Sequence, residues 1–256
     1  MKNPVFFKTL ICALSLLLPC GASSAATVDE LIKQGDVHDQ RFNPSEALKS
    51  YLPAEQLEPK NVDLLLRIAR QYRHQMADTG SVKEKIRYSG MGLDYARRAV
   101  ALAPKNSEAN LSIAIGYAKS LEFYSSKEKM NALHHVKNYA DKAIALDSGN
   151  DVAWYILGRW HEKVSELSSV KRKVAEMAYG KLPKASNEDA AKCYRKAISI
   201  NPGRSPYYVD LGITCAAMDN KAEAKKFIEK GLAMPNKGKD DPETKKRGRA
   251  ALQTLN

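Results

Sequence analysis

The chain has 256 residues and a formal net charge of +12 at pH 7, from 41 Lys and Arg against 29 Asp and Glu. Hydrophobic residues make up 44% of the chain and aromatic residues 7%, while glycine and proline, with 14 and 11 residues, are sparse. This composition suits a soluble helical protein better than a sheet protein or a disordered chain, and no apolar run is long enough to cross a membrane as a mature helix.

Residues 1–26 have the pattern of an export signal peptide. Two lysines make a basic start, residues 9–18 are an apolar run, and small residues offer a cleavage point after Ala25 or Ala26. An uncleaved anchor is the weaker alternative, because this run is about half of the ~20 residues that a membrane span needs. Cys20 would suit lipid modification, but the proline before it fits that processing poorly. We therefore expect an exported protein, either periplasmic or secreted.

Residues 27–236 repeat a two-helix pattern. In the first unit Gly35 is followed after 12 residues by Ala47-x3-Tyr51-x2-Ala54, where small residues let two helices approach closely. The spacing of 12 returns in the fifth unit, whereas it is 23, 22 and 32 residues in the second, third and fourth. The pattern predicts an all-α, right-handed tetratricopeptide-like α-solenoid of about five helix pairs with elongated hairpins. The points of closest approach on the first helices should be equivalent: Gly35, Ala69, Ala114, Gly158 and Gly212.

The longest spacing, in the fourth unit, predicts an inserted helix. Ser168 and Ser169 can begin it, and its apolar residues Val170, Val174 and Met177 share one face. Three cations point elsewhere on this helix: Lys171, Arg172 and Lys173.

Residues 237–256 are predicted to form a linker and a basic capping helix that covers the open end of the array. Asp241 should cap this helix at its N-terminus. The helix is expected to expose Lys245, Lys246 and Arg247. The C-terminal half is the basic one, since residues 151–256 carry 21 Lys and Arg against 13 Asp and Glu.

The fourth unit also carries the most specific similarity to a known family. The run Trp154-Tyr-Ile-Leu-Gly-Arg-Trp160, with Lys171-Arg-Lys-x-Ala175 and Tyr179-Gly-x2-Pro183, resembles the tetratricopeptide-like domain of the regulator of microtubule dynamics family. The resemblance covers about residues 27–236. It implies an all-helical, non-enzymatic binding domain, which in eukaryotes is associated with microtubules and organelle membranes.

No motif in the chain argues for catalysis, a metal ion or a cofactor. Gly90-Met-Gly92 begins like a dinucleotide fingerprint, but Tyr95 stands where the third glycine belongs and no strand precedes it. His134 and His135 point about 100° apart on a helix, and His161 has no histidine four residues away, so none fits a helical zinc site. We predict no catalytic residue, no metal and no cofactor.

Two cysteines remain once the signal peptide is removed, Cys193 and Cys215. They lie at similar distances on either side of the turn at Pro202, so antiparallel helices could bring them level in an oxidising compartment, where a disulfide would form. The other interpretation, which we favour, is two buried thiols that pack as small hydrophobes.

The repeat register places one set of first-helix side chains on the concave surface of the array. These positions lie three residues before, and one, four or five residues after, each point of closest approach. The predicted ligand groove consists of Leu66, Arg70, Arg73, Leu111, Ile115, Lys119, Tyr155, Arg159 and Lys163. Arginine pairs bidentately with carboxylates and phosphates, so the groove suits an extended ligand with such groups and an apolar part. The alternative is an ordinary solvated helix face.

We therefore predict a non-catalytic scaffold that binds an acidic peptide or a partner protein in this groove. The alternative is a lipid-binding or membrane-surface module, in which the apolar groove or the inserted helix holds lipid and the basic residues dock on anionic headgroups. Export makes nucleic acid the least suitable anion, and the lack of a convergent catalytic set argues against an enzyme.

Overall fold

Helices make up every regular element of the chain between residues 26 and 255, the range that the computed structural model describes, and that range contains no strand. The side chains of Ser169, Lys171, Ala175 and Tyr179 lie outside this description, as does the export signal predicted for residues 1–26, apart from Ala26. The helices are α1 Val28–Gln40, α2 Pro44–Leu57, α3 Val62–Asp78, α4 Val82–Leu102, α5 Ser107–Ser120, α6 Ser126–Leu146, α7 Asp151–Ser165, α8 Ser169–Tyr179, α9 Asn187–Ile200, α10 Ser205–Ala217, α11 Lys221–Ala233 and α12 Asp241–Leu255.

Asparagine side chains begin several of these helices. In each case the side-chain oxygen accepts a hydrogen bond from a backbone N–H of the first turn, which satisfies a donor that the helix itself cannot pair. Thr27 and Ser125 do the same for α1 and α6, with Glu30 and Glu128 completing reciprocal capping boxes. The capping asparagines are Asn43, Asn61, Asn106, Asn150 and Asn220.

The helices form five antiparallel pairs, as the spacing predicted: α1 with α2, α3 with α4, α5 with α6, α7 with α9, and α10 with α11. In each pair the two helices approach most closely at a small residue of the first helix. A β-carbon placed on Gly35 would lie 2.3 Å from the ring of Tyr51, and one on Gly158 would lie 2.6 Å from the ring of Tyr194. The three other equivalent points are also buried: Ala69, Ala114 and Gly212. The tetratricopeptide-like solenoid is therefore confirmed.

The first helices of the pairs form the inner layer of the array. Helix α3 contacts α5, α5 contacts α7, and α7 contacts α10. Two ion pairs, Arg67 with Asp36 and Arg70 with Asp39, join α3 to α1. Within residues 26–255 the second helices of consecutive pairs do not pack closely on one another. The pairs therefore fan outwards, and the first helices line the concave side.

Two helices lie outside the pairs. Helix α8, inserted between α7 and α9, contacts α6, and Leu182 after it is buried in the core of the third and fourth units. Its apolar residues Val170, Val174 and Met177 are exposed. Helix α12 packs on α10 and α11, where Gly248 fits against Val209. No helix in residues 26–255 has the length and apolarity that a membrane span requires.

The two cysteines are free, so the disulfide alternative is not realised in this structure. Both are buried, but Cys193 packs in the core of the third and fourth units and Cys215 in a separate cluster of the fourth and fifth. Cys193 on α9 packs toward the third and fourth units, so its thiol does not meet the thiol of Cys215 across the turn at Pro202. Burial raises the pKa of Cys193 to about 11, which keeps it a neutral thiol.

Candidate binding groove

The predicted apolar residues of the groove differ in how accessible they are. Leu111 is 1% exposed and belongs to the core between the third and fourth units, so it cannot line a ligand site. Leu66 and Ile115 are half-buried beside core clusters. Tyr155 is half-buried too, and its hydroxyl donates to Asp210 at 2.8 Å. The groove offers less apolar surface than the register suggested.

Each predicted cation of the groove already has a partner within the chain. Arg73 is the most buried of them, and it donates to the hydroxyl of Ser112 at 2.9 Å. Burial, with the nearby Arg70, lowers the pKa of Arg73 to about 10, so it stays charged at neutral pH. The other four pair with carboxylates: Arg70 with Asp39, Lys119 with Asp240, Arg159 with Asp210 and Lys163 with Glu166.

The segment before α12 crosses the inner layer. The Nζ atom of Lys119 on α5 lies 2.6 Å from a carboxylate oxygen of Asp240. Partial desolvation of Asp240 opposes its ionisation, but the charge and hydrogen bond of Lys119 outweigh that effect and lower the pKa of this carboxyl below its usual value. The segment before α12 therefore places a carboxylate against a cation of the groove.

His74 follows Arg73 on α3. Burial, followed by the charge of Arg73, lowers the pKa of His74 to about 4, so the ring is neutral at pH 7. Its ring packs edge-on against Phe42, and its Nδ1 atom has no hydrogen-bond partner among the described residues. His74 contributes a polar wall to the groove but no charge.

A buried charged cluster lies at the α10 end of the inner layer, centred on Asp210. Asp210 is 0% exposed, and Arg247 of α12 donates to it at 2.6 Å. Tyr155 donates to its other oxygen, which lies 3.9 Å from Nε of Arg159. Burial and the adjacent carboxylate raise the pKa of Tyr155, so its hydroxyl remains a donor. The cluster fixes α7, α10 and α12 relative to one another.

Glu162 extends the cluster toward α9. It is 9% exposed, and the hydroxyl of Tyr194 donates to it at 2.6 Å. Burial, with a contribution from Asp210, raises the pKa of Glu162, while Arg159 and Arg247 oppose that shift. Asp210 pairs with both arginines, while Glu162 is held by the hydroxyl of Tyr194.

Asp210 is not among the site residues predicted from the sequence. The available signal was a single aspartate inside the apolar run Tyr207-Tyr-Val-Asp-Leu-Gly-Ile213, because a charge within such a run needs a buried partner. That pattern predicts a buried charge with a partner, but it does not predict that the partners are Arg247 of α12 and Tyr155 of α7.

The predicted basic surface does not form one patch. Arg247 was expected on the exposed face of α12 but points at Asp210, because α12 packs this edge against α10. Lys245 is half-buried and donates to the carbonyl of Met234, and Lys246 is exposed. On α8, Arg172 binds Glu176 and two backbone carbonyls, whereas Lys173 is exposed. The side chain of Lys171 lies outside the described residues.

No cluster of three or more His, Cys, Asp or Glu side chains with the geometry of a metal site occurs in the part of the chain that the structure describes. The groove carries the cations Arg70, Arg73 and Lys119 along α3 and α5, and the buried acids Asp210 and Glu162 lie at its α10 end. That arrangement can hold a carboxylate or a similar anion.

Comparison of the sequence with known proteins finds relatives in one family. The human regulator of microtubule dynamics protein 2 is 29% identical over 195 residues, which cover 76% of this chain and 48% of that protein. Regulator of microtubule dynamics protein 1 of Caenorhabditis elegans is 27% identical over 179 residues, which cover 70% of this chain and 79% of that protein. The chain spans about half the length of the human relative it matches.

A solved structure supports the fold alone. A thermophilic tetratricopeptide-repeat protein of Thermus thermophilus superposes with a TM-score of 0.65 at 13% identity, covering 89% of this chain and 100% of that one. The family profile for regulator of microtubule dynamics proteins 1-3 matches residues 25–256. The chain therefore belongs to the regulator of microtubule dynamics family.

Proposed function

We propose that this protein is a non-catalytic, protein-binding scaffold whose inner groove holds an acidic segment of a partner protein. The contact between Lys119 and Asp240, at 2.6 Å, is the observation that carries the proposal, because a carboxylate from another part of the chain already pairs with a cation of this surface. The signal peptide expected at residues 1–26 would deliver this groove to the periplasm or the exterior.

The distribution of charge supports an extended ligand rather than a compact one. Arg70 and Arg73 lie on α3, Lys119 on α5 and Arg159 on α7, so the cations follow the array from one pair to the next. Arg70 and Arg159 are 45% and 36% exposed at their side chains, and both can reach a ligand without leaving their helices. A peptide with spaced carboxylates would meet them in sequence.

The test is the binding of a fluorescein-labelled decapeptide of alternating glutamate and glycine, followed by fluorescence anisotropy at low salt. The double substitution Arg70→Gln with Arg159→Gln should weaken binding by about tenfold, since two exposed charged contacts contribute about 1 kcal/mol each at most. Glutamine is chosen over glutamate because Asp210 and Glu162 surround Arg159. Helicity should be unchanged by circular dichroism.

The control removes two exposed cations that also pair with a carboxylate, Lys49 on α2 and Lys192 on α9, as Lys49→Gln with Lys192→Gln. Both lie on second helices, outside the inner layer. This variant should bind like the wild-type chain. Equal binding by the Arg70→Gln, Arg159→Gln variant and the wild type would contradict the proposal.

A second candidate function, docking on a membrane surface, is favoured by the exposed face of α8. Val170, Val174 and Met177 are 70%, 63% and 89% exposed, and Lys173 is exposed beside them. Apolar side chains in a row with cations at their side suit the boundary between headgroups and acyl chains.

Vesicle sedimentation tests this candidate with equal parts of phosphatidylcholine and phosphatidylglycerol. The variant Val170→Ser with Met177→Ser should lose about a hundredfold in partitioning, because each buried apolar side chain contributes about 1.5 kcal/mol. Val82→Ser removes a residue that is 56% exposed on α4 and should have no effect. Unchanged partitioning of the α8 variant, or no binding by the wild type, would exclude this function.

A further inference from the structure

The linker before α12 is held across the inner groove by contacts to distant parts of the chain. Lys239 donates to Asp78 at 2.8 Å and to the carbonyl of Phe42 at 3.2 Å. Asp240 pairs with Lys119. We call residues 237–241 the strap. It therefore touches the first, second and third units.

The strap has a defined shape of its own. The carboxylate of Asp241, which is 4% exposed, accepts hydrogen bonds from the backbone N–H groups of Lys237 and Gly238 at 2.8 and 3.0 Å. The N–H of Asp241 in turn donates to the carbonyl of Gly238. These bonds close a tight loop that aims Asp240 at the groove. Helix α12 follows at once, and Arg247 anchors it to Asp210.

The strap presents the chemistry that the groove is proposed to bind. Its carboxylate pairs with Lys119 of the groove, while its own lysine pairs with the carboxylate of Asp78 at the end of α3. The ion pair at its centre is partly open to water, since the side chain of Asp240 is 56% exposed. Such a pair is weak and exchangeable. Because the strap is tethered, it competes at a high effective concentration.

We propose that the strap is an intramolecular pseudo-ligand, and that the partner is a segment with a basic residue directly followed by a carboxylate, which must displace the strap to bind. This proposal depends on the proposed function, because it assumes that the same groove takes the partner. It adds the sequence motif of the ligand, and it predicts that the strap lowers the affinity of the free chain for that ligand.

The experiment uses the full chain and a fluorescein-labelled peptide that copies its residues 234–243, with binding followed by fluorescence anisotropy. The substitution Asp240→Asn should free the Lys119 subsite and tighten peptide binding by about fivefold, the equivalent of one partly exposed ion pair. A second peptide, with asparagine at the position that copies Asp240, should bind about fivefold more weakly to the variant than the first peptide does. Adding Lys119→Gln to Asp240→Asn should remove the gain.

The matched control is Glu243→Gln, which removes one negative charge from an exposed position of α12, three residues from Asp240. It should leave peptide binding unchanged. Equal affinities of wild type and the Asp240→Asn variant, or equal binding of the two peptides, would overturn the pseudo-ligand.

The two proposals fail in distinguishable ways. If the Arg70→Gln, Arg159→Gln variant loses binding of the glutamate peptide while Asp240→Asn changes nothing, the groove binds acidic segments but the strap does not compete. If neither substitution alters binding, both proposals are wrong. A thermal melt of Asp240→Asn that matches the wild type shows that any gain comes from the groove and not from unfolding.

Discussion

Replacing Asp210 by alanine is expected to lower the free energy of unfolding by about 3 kcal/mol, because it leaves two arginines without their shared buried carboxylate. Removing one partner of a buried ion pair costs about 3–5 kcal/mol. We expect the lower value because the side chains of Arg159 and Arg247 are 36% and 34% exposed, so water can solvate them after the carboxylate is lost. Tyr155 also loses its acceptor. Guanidinium unfolding, followed by circular dichroism at 222 nm, measures the change.

The comparison for this loss is Asp94→Ala, which removes an aspartate that is 70% exposed and pairs only with its neighbour Arg97. That change should stay within about 0.5 kcal/mol of the wild type. Asp210→Asn keeps an acceptor for Tyr155 and should fall between the two. A stability of Asp210→Ala equal to that of Asp94→Ala would show that the cluster does not hold α7, α10 and α12 together.

Gly212→Ala is expected to destabilise the fold by about 2 kcal/mol, although alanine is the better helix former. The new β-carbon would lie 2.8 Å from the backbone oxygen of Ala224 and 2.9 Å from the backbone nitrogen of Ile228. These atoms belong to α11, so the clash can be relieved only by moving the two helices apart. The same denaturant titration gives the size of the effect.

Gly90→Ala is the matched substitution, since Gly90 lies within α4 and a β-carbon there meets nothing within 4 Å. It should stabilise the chain by about 0.5 to 1 kcal/mol, the ordinary gain for this replacement in a helix. The same glycine-to-alanine substitution is therefore expected to lower the free energy of unfolding at Gly212 and to raise it at Gly90. A gain at Gly212 as well would mean that the helices of the fifth pair do not approach as closely as described.

The fold was predictable from local signals that agree with one another. The 12-residue spacing in the first and fifth units, and capping asparagines such as Asn61 and Asn106, define where helices start and which residues meet. Such signals act within one helix pair, so a single sequence is enough to read them. The longer spacings of the middle units likewise appeared as long α4 and α6.

The binding groove was only partly predictable. The repeat register predicts which way a side chain points from its helix, but it does not predict which residue far away in sequence contacts that side chain. The contact of Lys119 with Asp240 joins residues 121 positions apart. Asp241 was expected to cap α12, yet its carboxylate closes the strap onto Lys237 and Gly238. The helical periodicity of α12 predicts an exposed Arg247, but in the structure Arg247 pairs with the buried Asp210 of α10.

The contact of Lys239 with Asp78 and Phe42 has a consequence for how the molecule melts. In an open array each pair touches only its neighbours, so the ends fray first and unfolding proceeds stepwise from them. A link between residues 161 and 197 positions apart ties the last element to the first two pairs. Fraying of either end must then also break that link, so the two ends are coupled by about the free energy of one partly exposed ion pair and unfold less independently than in an open array.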